Sequence, residues 1–124
     1  MGKYGLLVKM RFAAAHNLRG YDGNCERLHG HNWLIEVALS ADKLGNCGMC
    51  IDFREVKKHL AQILDGFDHN YLNKLEEFKD MNPTTENIAR LVYNRLAGMV
   101  PDHVRVRKVT AWESEDCGAS YGED

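Results

Sequence analysis

Cys25-Glu26-Arg27-Leu28-His29-Gly30-His31 is the densest run of reactive side chains in the sequence, and His16 belongs with it. His29 and His31 are two residues apart, so on a strand their imidazoles leave the same face. His16 closes an earlier strand-like run that begins at Leu6. If the two runs pair antiparallel, the end of the first lies beside the start of the second. Three imidazoles then converge at one end of a sheet, with the Cys25 thiol in the loop beside them. A lone histidine at a strand end is ordinarily a satisfied polar group. Three on converging inner faces next to a thiol read as a metal site, and three His with an open fourth position is a donor set of catalytic zinc.

The elements that must hold these residues are legible from periodicity. From Leu6 the even positions Leu6, Val8, Met10, Phe12, Ala14 and His16 share one face, opposed by Lys9 and Arg11. After a polar loop, residues 17–28, the odd positions His29, His31, Trp33, Ile35, Val37 and Leu39 form the apolar face of a second strand. Asp52-Phe53-Arg54-Glu55 has capping-box spacing, with Asp52 as N-cap. The helix it opens carries Val56, Leu60, Ile63, Leu64 and Phe67 on one stripe and ends near Gly66. Pro83-Thr84-Thr85-Glu86 opens a second helix with Ile88, Leu91, Val92, Leu96 and Met99 inside. Residues 103–113 alternate and then lose phase around Lys108-Val109, which predicts either a bulge or a strand at an interface. Residues 117–121 give a short last strand. The order β-β-α-α-β-β predicts an α+β layer fold: a four-stranded antiparallel sheet with two helices on one face, forming a single domain over residues 1–124.

Composition narrows the functions. The chain has 124 residues, 44% hydrophobic and 27% charged, with formal net charge −2 and no strongly basic stretch. A nucleic-acid groove or an anionic membrane partner is not expected. No run reaches the length of a membrane span and the Met1-Gly2-Lys3-Tyr4 start has no signal-peptide apolar region, so the expected compartment is the cytoplasm. Its thiols (Cys25, Cys47, Cys50 and Cys117) are then expected to be reduced. Cys47-Gly48-Met49-Cys50 has C-x-x-C spacing but no second pair, and reads as a turn. Trp112 and Tyr121 near open sheet edges predict a symmetric homo-oligomer.

With its elements in this order, the chain resembles the 6-pyruvoyl-tetrahydropterin synthase / 6-carboxy-tetrahydropterin synthase family over nearly its whole length. The resemblance is carried by F-x-A-A-H at Phe12–His16, C-x-x-x-H-G-H at Cys25–His31, I-D-F at Ile51–Phe53, D-H-x-x-L-N at Asp68–Asn73, N-P-T-x-E at Asn82–Glu86 and W-E at Trp112–Glu113. It implies a tunnelling fold, with trimeric barrels stacked as a hexamer and active sites between subunits. The Cys25-to-His29 spacing resembles the 6-carboxy-tetrahydropterin synthases of the bacterial queuosine pathway, whereas the animal pyruvoyl enzymes carry a longer gap. Glu26, directly after Cys25, resembles members with a dual motif, in which a glutamate serves a folate-branch reaction giving 6-hydroxymethyl-dihydropterin.

The resemblance also implies roles. His16, His29 and His31 hold Zn²⁺, which binds the side-chain hydroxyls of 7,8-dihydroneopterin triphosphate. Cys25 takes a proton from the carbon next to the pterin ring. Asp68 fixes the tautomer of His69, which moves a proton, and this pair completes a site whose Cys25 comes from a neighbouring chain; on residue type alone, Asp68-His69 is equally an ordinary polar turn. Glu113 matches the two parallel N–H donors of a pterin edge, and Thr84 touches the pterin besides capping a helix. Glu26 is either a surface carboxylate or a second general base. Lys9, Arg11 and Arg27 are candidates for the triphosphate. The implied reaction is a zinc-dependent lyase step giving 6-carboxytetrahydropterin. The alternative from another class is a non-catalytic assembly in which the metal only ties strands together.

Overall fold

Alternation makes the first two strands long. In the computed structural model, which describes residues 3–20, 27–45 and 47–123, β1 (Tyr4–His16) and β2 (His29–Ala41) pair antiparallel along their whole lengths. Their register sets Phe12 opposite Trp33, Ala14 opposite His31 and His16 opposite His29. The predicted convergence of the three histidines therefore follows from the pairing itself.

Asp52 caps α1 (Phe53–Leu64), its carboxylate accepting from the Arg54 amide at 2.8 Å. The Glu55 carboxylate lies 3.8 Å from His59 one turn on, so only the Asp52 half of the expected capping box is seen. Thr84 caps α2 (Thr85–Ala97), its hydroxyl accepting from the Asn87 amide at 3.0 Å. Both helices lie on one face of the sheet. There Trp33, Phe67, Phe78, Leu60, Ile88 and Leu96 are fully buried, each worth about 1.5–3 kcal/mol of apolar transfer. Ala89 is buried with them, while Leu91 and Met99 pack at the margin.

The sheet has five strands rather than four, in the order β3-β1-β2-β4-β5. The additional one, β3 (Asn70–Tyr71), runs parallel to β1 at Ala14 and Ala15. Two residues are too few to show alternation, which is why the pattern of the sequence does not reveal it. Two single 3₁₀ turns, Leu72–Lys74 and Glu76–Phe78, follow. β4 (Arg105–Trp112) pairs with β2 and carries the predicted bulge: Ala38 faces Lys108 and Leu39 faces Val106, leaving Arg107 as the extra residue. β5 (Gly118–Gly122) closes that side. Gly122 passes against the bulge, where a Cβ would overlap the Arg107 carbonyl. Among the described residues no helix is long and apolar enough to cross a membrane. Cys47, Cys50 and Cys117 are unbridged, and Gly48 takes a positive φ of 76° in the turn that carries the first two.

Candidate functional site

His16 is the one buried polar side chain among the described residues, 3% exposed, while His29 and His31 lie at 34% and 24%. Their rings meet edge to face, with centroids 4.5 to 5.3 Å apart. The buried Trp33 ring forms the floor, 5.0 Å from His16 and 5.4 Å from His31. The bulge in β4 matters here: beyond it Val109 and Ala111 face the core, and Glu113, just past the strand end, arrives on the histidine face. Its Oε1 lies 3.2 Å from His16 Nε2, 3.9 Å from His29 Nε2 and 3.0 Å from His31 Nε2. These four donor atoms all fall within 4.8 Å of one another.

The donor chemistry fits a divalent ion. His16 Nδ1 donates to the Pro83 carbonyl at 2.8 Å and His29 Nδ1 to the Arg27 carbonyl at 2.7 Å. A carbonyl only accepts, so in each neutral ring Nδ1 carries the proton and the Nε2 lone pair is turned into the cluster. Nε2 of His16 and of His31 is buried, and neither meets hydrogen-bond geometry with any partner. Lone pairs and a carboxylate oxygen facing one another repel unless a cation stands between them. Burial depresses the His31 pKa below its ordinary value, the Glu113 carboxylate opposes this, and His16 and His29 add to the depression. The balance disfavours the imidazolium, and only a neutral ring can ligate a metal.

Asp68 and His69 occupy the corner between α1 and β3, against the edge of β1. The Asp68 carboxylate accepts from the Ala13 amide at 2.9 Å, and the His69 amide donates to the Ala13 carbonyl. With its backbone clamped on both sides of Ala13, His69 holds a φ of 60°, the one non-glycine positive φ among the described residues. Such conformations collect at functional sites. Asp68 Oδ2 stands 3.1 Å from His69 Nδ1, and the His69 side chain is 82% exposed. The Ala13 N–H, aided by His69, holds the Asp68 carboxyl below the usual carboxylate range. The corner is fixed, and the ring it carries is presented outward.

On the sheet face away from the helices, a groove of about 930 Å³ runs from Asp68 to Glu113, lined by Lys9, Arg11, Asn32 and Trp112 among others. Two of the three phosphate candidates therefore share a groove with Glu113. Arg27 is exposed and engages His29 through its carbonyl. Thr84 serves as a helix cap. Cys25 and Glu26 lie outside the described residues.

The sequence profile of the family described as 6-pyruvoyl tetrahydropterin synthase matches residues 6–124. The chain belongs to this family. A protein of Archaeoglobus fulgidus, provisionally named 6-carboxy-5,6,7,8-tetrahydropterin synthase, is 35% identical over 109 residues, covering 88% of this chain and 87% of that one. The dihydroneopterin monophosphate aldolase of Pyrococcus furiosus is 31% identical over 116 residues, covering 94% and 95%. The solved 6-pyruvoyl tetrahydropterin synthase of Caenorhabditis elegans superposes with a TM-score of 0.89 at 28% identity, covering 100% of this chain and 98% of that one. The tunnelling fold expected from the motifs is thus the fold of this family member.

Two further motif residues act on the site from outside it. Asn73 pairs both backbone groups of Asn17, accepting from its amide and donating to its carbonyl. Asn82 does the same for Arg19. Together they seat the chain leaving His16 against the loop that supplies the Pro83 carbonyl. Their motifs are visible in the sequence, but this role is not, because side-chain pairing to a distant backbone leaves no periodic trace.

Proposed function

We propose that the chain is a zinc-dependent 6-carboxy-5,6,7,8-tetrahydropterin synthase. It takes 7,8-dihydroneopterin triphosphate and, with uptake of water, yields 6-carboxytetrahydropterin, acetaldehyde and triphosphate. The observation that carries this reading is the set of three imidazoles whose Nε2 atoms face one centre, in a family whose relatives bear that activity's name. His16, His29 and His31 would hold the zinc, which when bound supplies Lewis acidity toward the substrate's side-chain hydroxyls. Glu113 grips the amino-pyrimidinone edge of the pterin through paired N–H···O bonds. Asp68 keeps the proton of His69 on Nδ1, so that Nε2 accepts or returns a proton at the side-chain carbons. Cys25 is assigned the proton at the carbon next to the ring. Its thiol, ordinarily of pKa about 8.5, needs a cationic neighbour to act near neutrality. Lys9 and Arg11 line the groove as contacts for the triphosphate, and Thr84 is a further candidate for touching the ring.

Incubation of the pure protein with 7,8-dihydroneopterin triphosphate, with the pterin product identified by mass, tests this. A 6-carboxytetrahydropterin product supports it, and a pyruvoyl product contradicts it. The Pyrococcus relative's name favours a second reading, cleavage to 6-hydroxymethyl-7,8-dihydropterin with Glu26 as base. A hydroxymethyl product that vanishes in Glu26→Ala would establish that branch. Cys25→Ala separates both from a purely structural metal. Catalysis by the thiol predicts a folded, zinc-loaded, inactive protein, whereas a structural thiolate predicts loss of metal or of fold.

A further inference from the structure

Glu113 stands where a fourth ligand belongs. A tetrahedral zinc with bonds of about 2.0–2.1 Å separates its donors by roughly 3.3–3.4 Å. The Glu113 Oε1 distances to the three Nε2 atoms, 3.2, 3.9 and 3.0 Å, bracket that edge. Among the described residues its carboxylate has no other partner. Its backbone is fixed, since the Glu113 amide donates to the Cys117 carbonyl at 3.0 Å at the foot of the β4–β5 turn. Its side chain is 31% exposed and borders the groove, so only side-chain torsions separate the imidazole cluster from the groove. The same carboxylate is also the group assigned above to the pterin edge. That grip needs both oxygens, so the two engagements exclude each other.

We infer that Glu113 is an exchangeable fourth donor: it closes the coordination shell of the metal held by His16, His29 and His31 while the groove is empty, and the pterin edge draws it away, opening a coordination place when substrate arrives. This rests on the three-histidine metal reading and adds to it the device that opens the shell. A permanently closed four-donor shell is the mark of a structural zinc, and an open place that of a catalytic one. An exchangeable Glu113 lets the site be the first at rest and the second at work, shielding the ion from adventitious ligands between turnovers.

The test uses the full chain loaded with Co²⁺ in place of zinc, read by its visible d–d spectrum, with zinc affinity measured by chelator competition. Unsubstituted pterin, which has no side chain to reach the ion, serves as the probe, and its fluorescence reports binding. Pterin is expected to shift the cobalt spectrum of the wild type. Glu113→Gln is expected to start from an altered spectrum, to ignore pterin, and to bind zinc ~10-fold or more weakly, the scale on which ligand-shell losses act. Glu113→Asp, which keeps the charge on a shorter arm, is expected to fall between, and stands in should the Gln variant not fold. The inference is overturned if Glu113→Gln keeps wild-type zinc affinity and spectrum. It is overturned equally if bound pterin leaves the wild-type spectrum unmoved, or if pterin does not bind. The underlying reading fails in a different way: the wild type takes up neither ion, or His31→Ala retains both.

Discussion

Two backbone carbonyls, those of Pro83 and Arg27, decide which nitrogen of His16 and of His29 carries the proton, and so where each lone pair points. Residue type and spacing place the imidazoles together, because strand alternation fixes which way a side chain leaves. They say nothing about the acceptors, since a carbonyl belongs to every residue. Asp68 is a case in which the proton's position has a measurable consequence. Its carboxyl is held below its ordinary pKa in the folded chain, chiefly by the Ala13 amide. A depressed acid contributes stability above its unfolded pKa and loses it as pH falls through the folded value. Urea melts between about pH 5 and about pH 3 are therefore expected to show a steeper loss for the wild type than for Asp68→Asn, the unfolded carboxyl titrating at about 3.9. Equal slopes would mean that the Ala13–Asp68 clamp does not persist in solution. In a separate assay, Asp68→Asn is expected to remain folded at neutral pH yet lose turnover, because the amide no longer fixes the His69 tautomer.

The elements bring these residues together through features of unequal legibility. β1, β2, α1 and α2 follow from apolar period and caps, and the β4 bulge from a lapse in alternation. That lapse also held a usable clue: once the phase shifts, Val109, Ala111 and Glu113 share the core face, which puts Glu113 beside the histidines. β3 and the two 3₁₀ turns had no such trace, because residues 65–82 are ordered by side-chain-to-backbone pairs instead of by a repeating apolar face. Asn82 is the sharpest example. Its amide group closes two hydrogen bonds on Arg19, and its own carbonyl accepts from Asn87 in the first turn of α2. Asn82→Ala is expected to cost about 1–2 kcal/mol in chemical denaturation, two neutral hydrogen bonds at about 1 kcal/mol each. It is also expected to weaken retention of the proposed metal, since the loop that presents the Pro83 carbonyl to His16 loses one of its ties to the chain leaving β1. The Arg19 guanidinium contacts to the Asn73, Phe78 and Met81 carbonyls remain. Thr84→Ala is expected to cost about 1 kcal/mol through the lost cap alone, with Thr84→Ser restoring it. A change in pterin affinity beyond that shared loss of stability would assign Thr84 a direct contact.

At the scale of the molecule, a single chain leaves sheet edges uncovered. β1 is covered by β3 only at Ala14 and Ala15, so Tyr4 to Phe12 forms an open edge, and β5 forms another. Tyr4, Leu7 and Tyr121 are exposed along them. Sheet edges of this length invite pairing with another copy, as an assembly closed through its sheets, such as the hexamer implied by the family resemblance, would require. The Asp68–His69 corner sits on the β1 edge with its ring turned outward, where a neighbouring subunit's Cys25 loop would meet it. A shared site of this kind has a signature that a site within one chain cannot imitate. Cys25→Ala and Asp68→Asn chains, each inactive alone, are mixed in denaturant and refolded together. If every site takes Cys25 from one chain and Asp68 from the next, random closed rings restore about one quarter of the sites. If both residues belong to one chain, no mixing ratio restores any. On the shared-site reading, recovered activity should also fall on dilution together with the oligomer's mass by light scattering, because the interface that pairs the sheets would be the one that completes the site. A monomer with undiminished turnover would refute the arrangement and place the whole reaction within one 14.1 kDa chain.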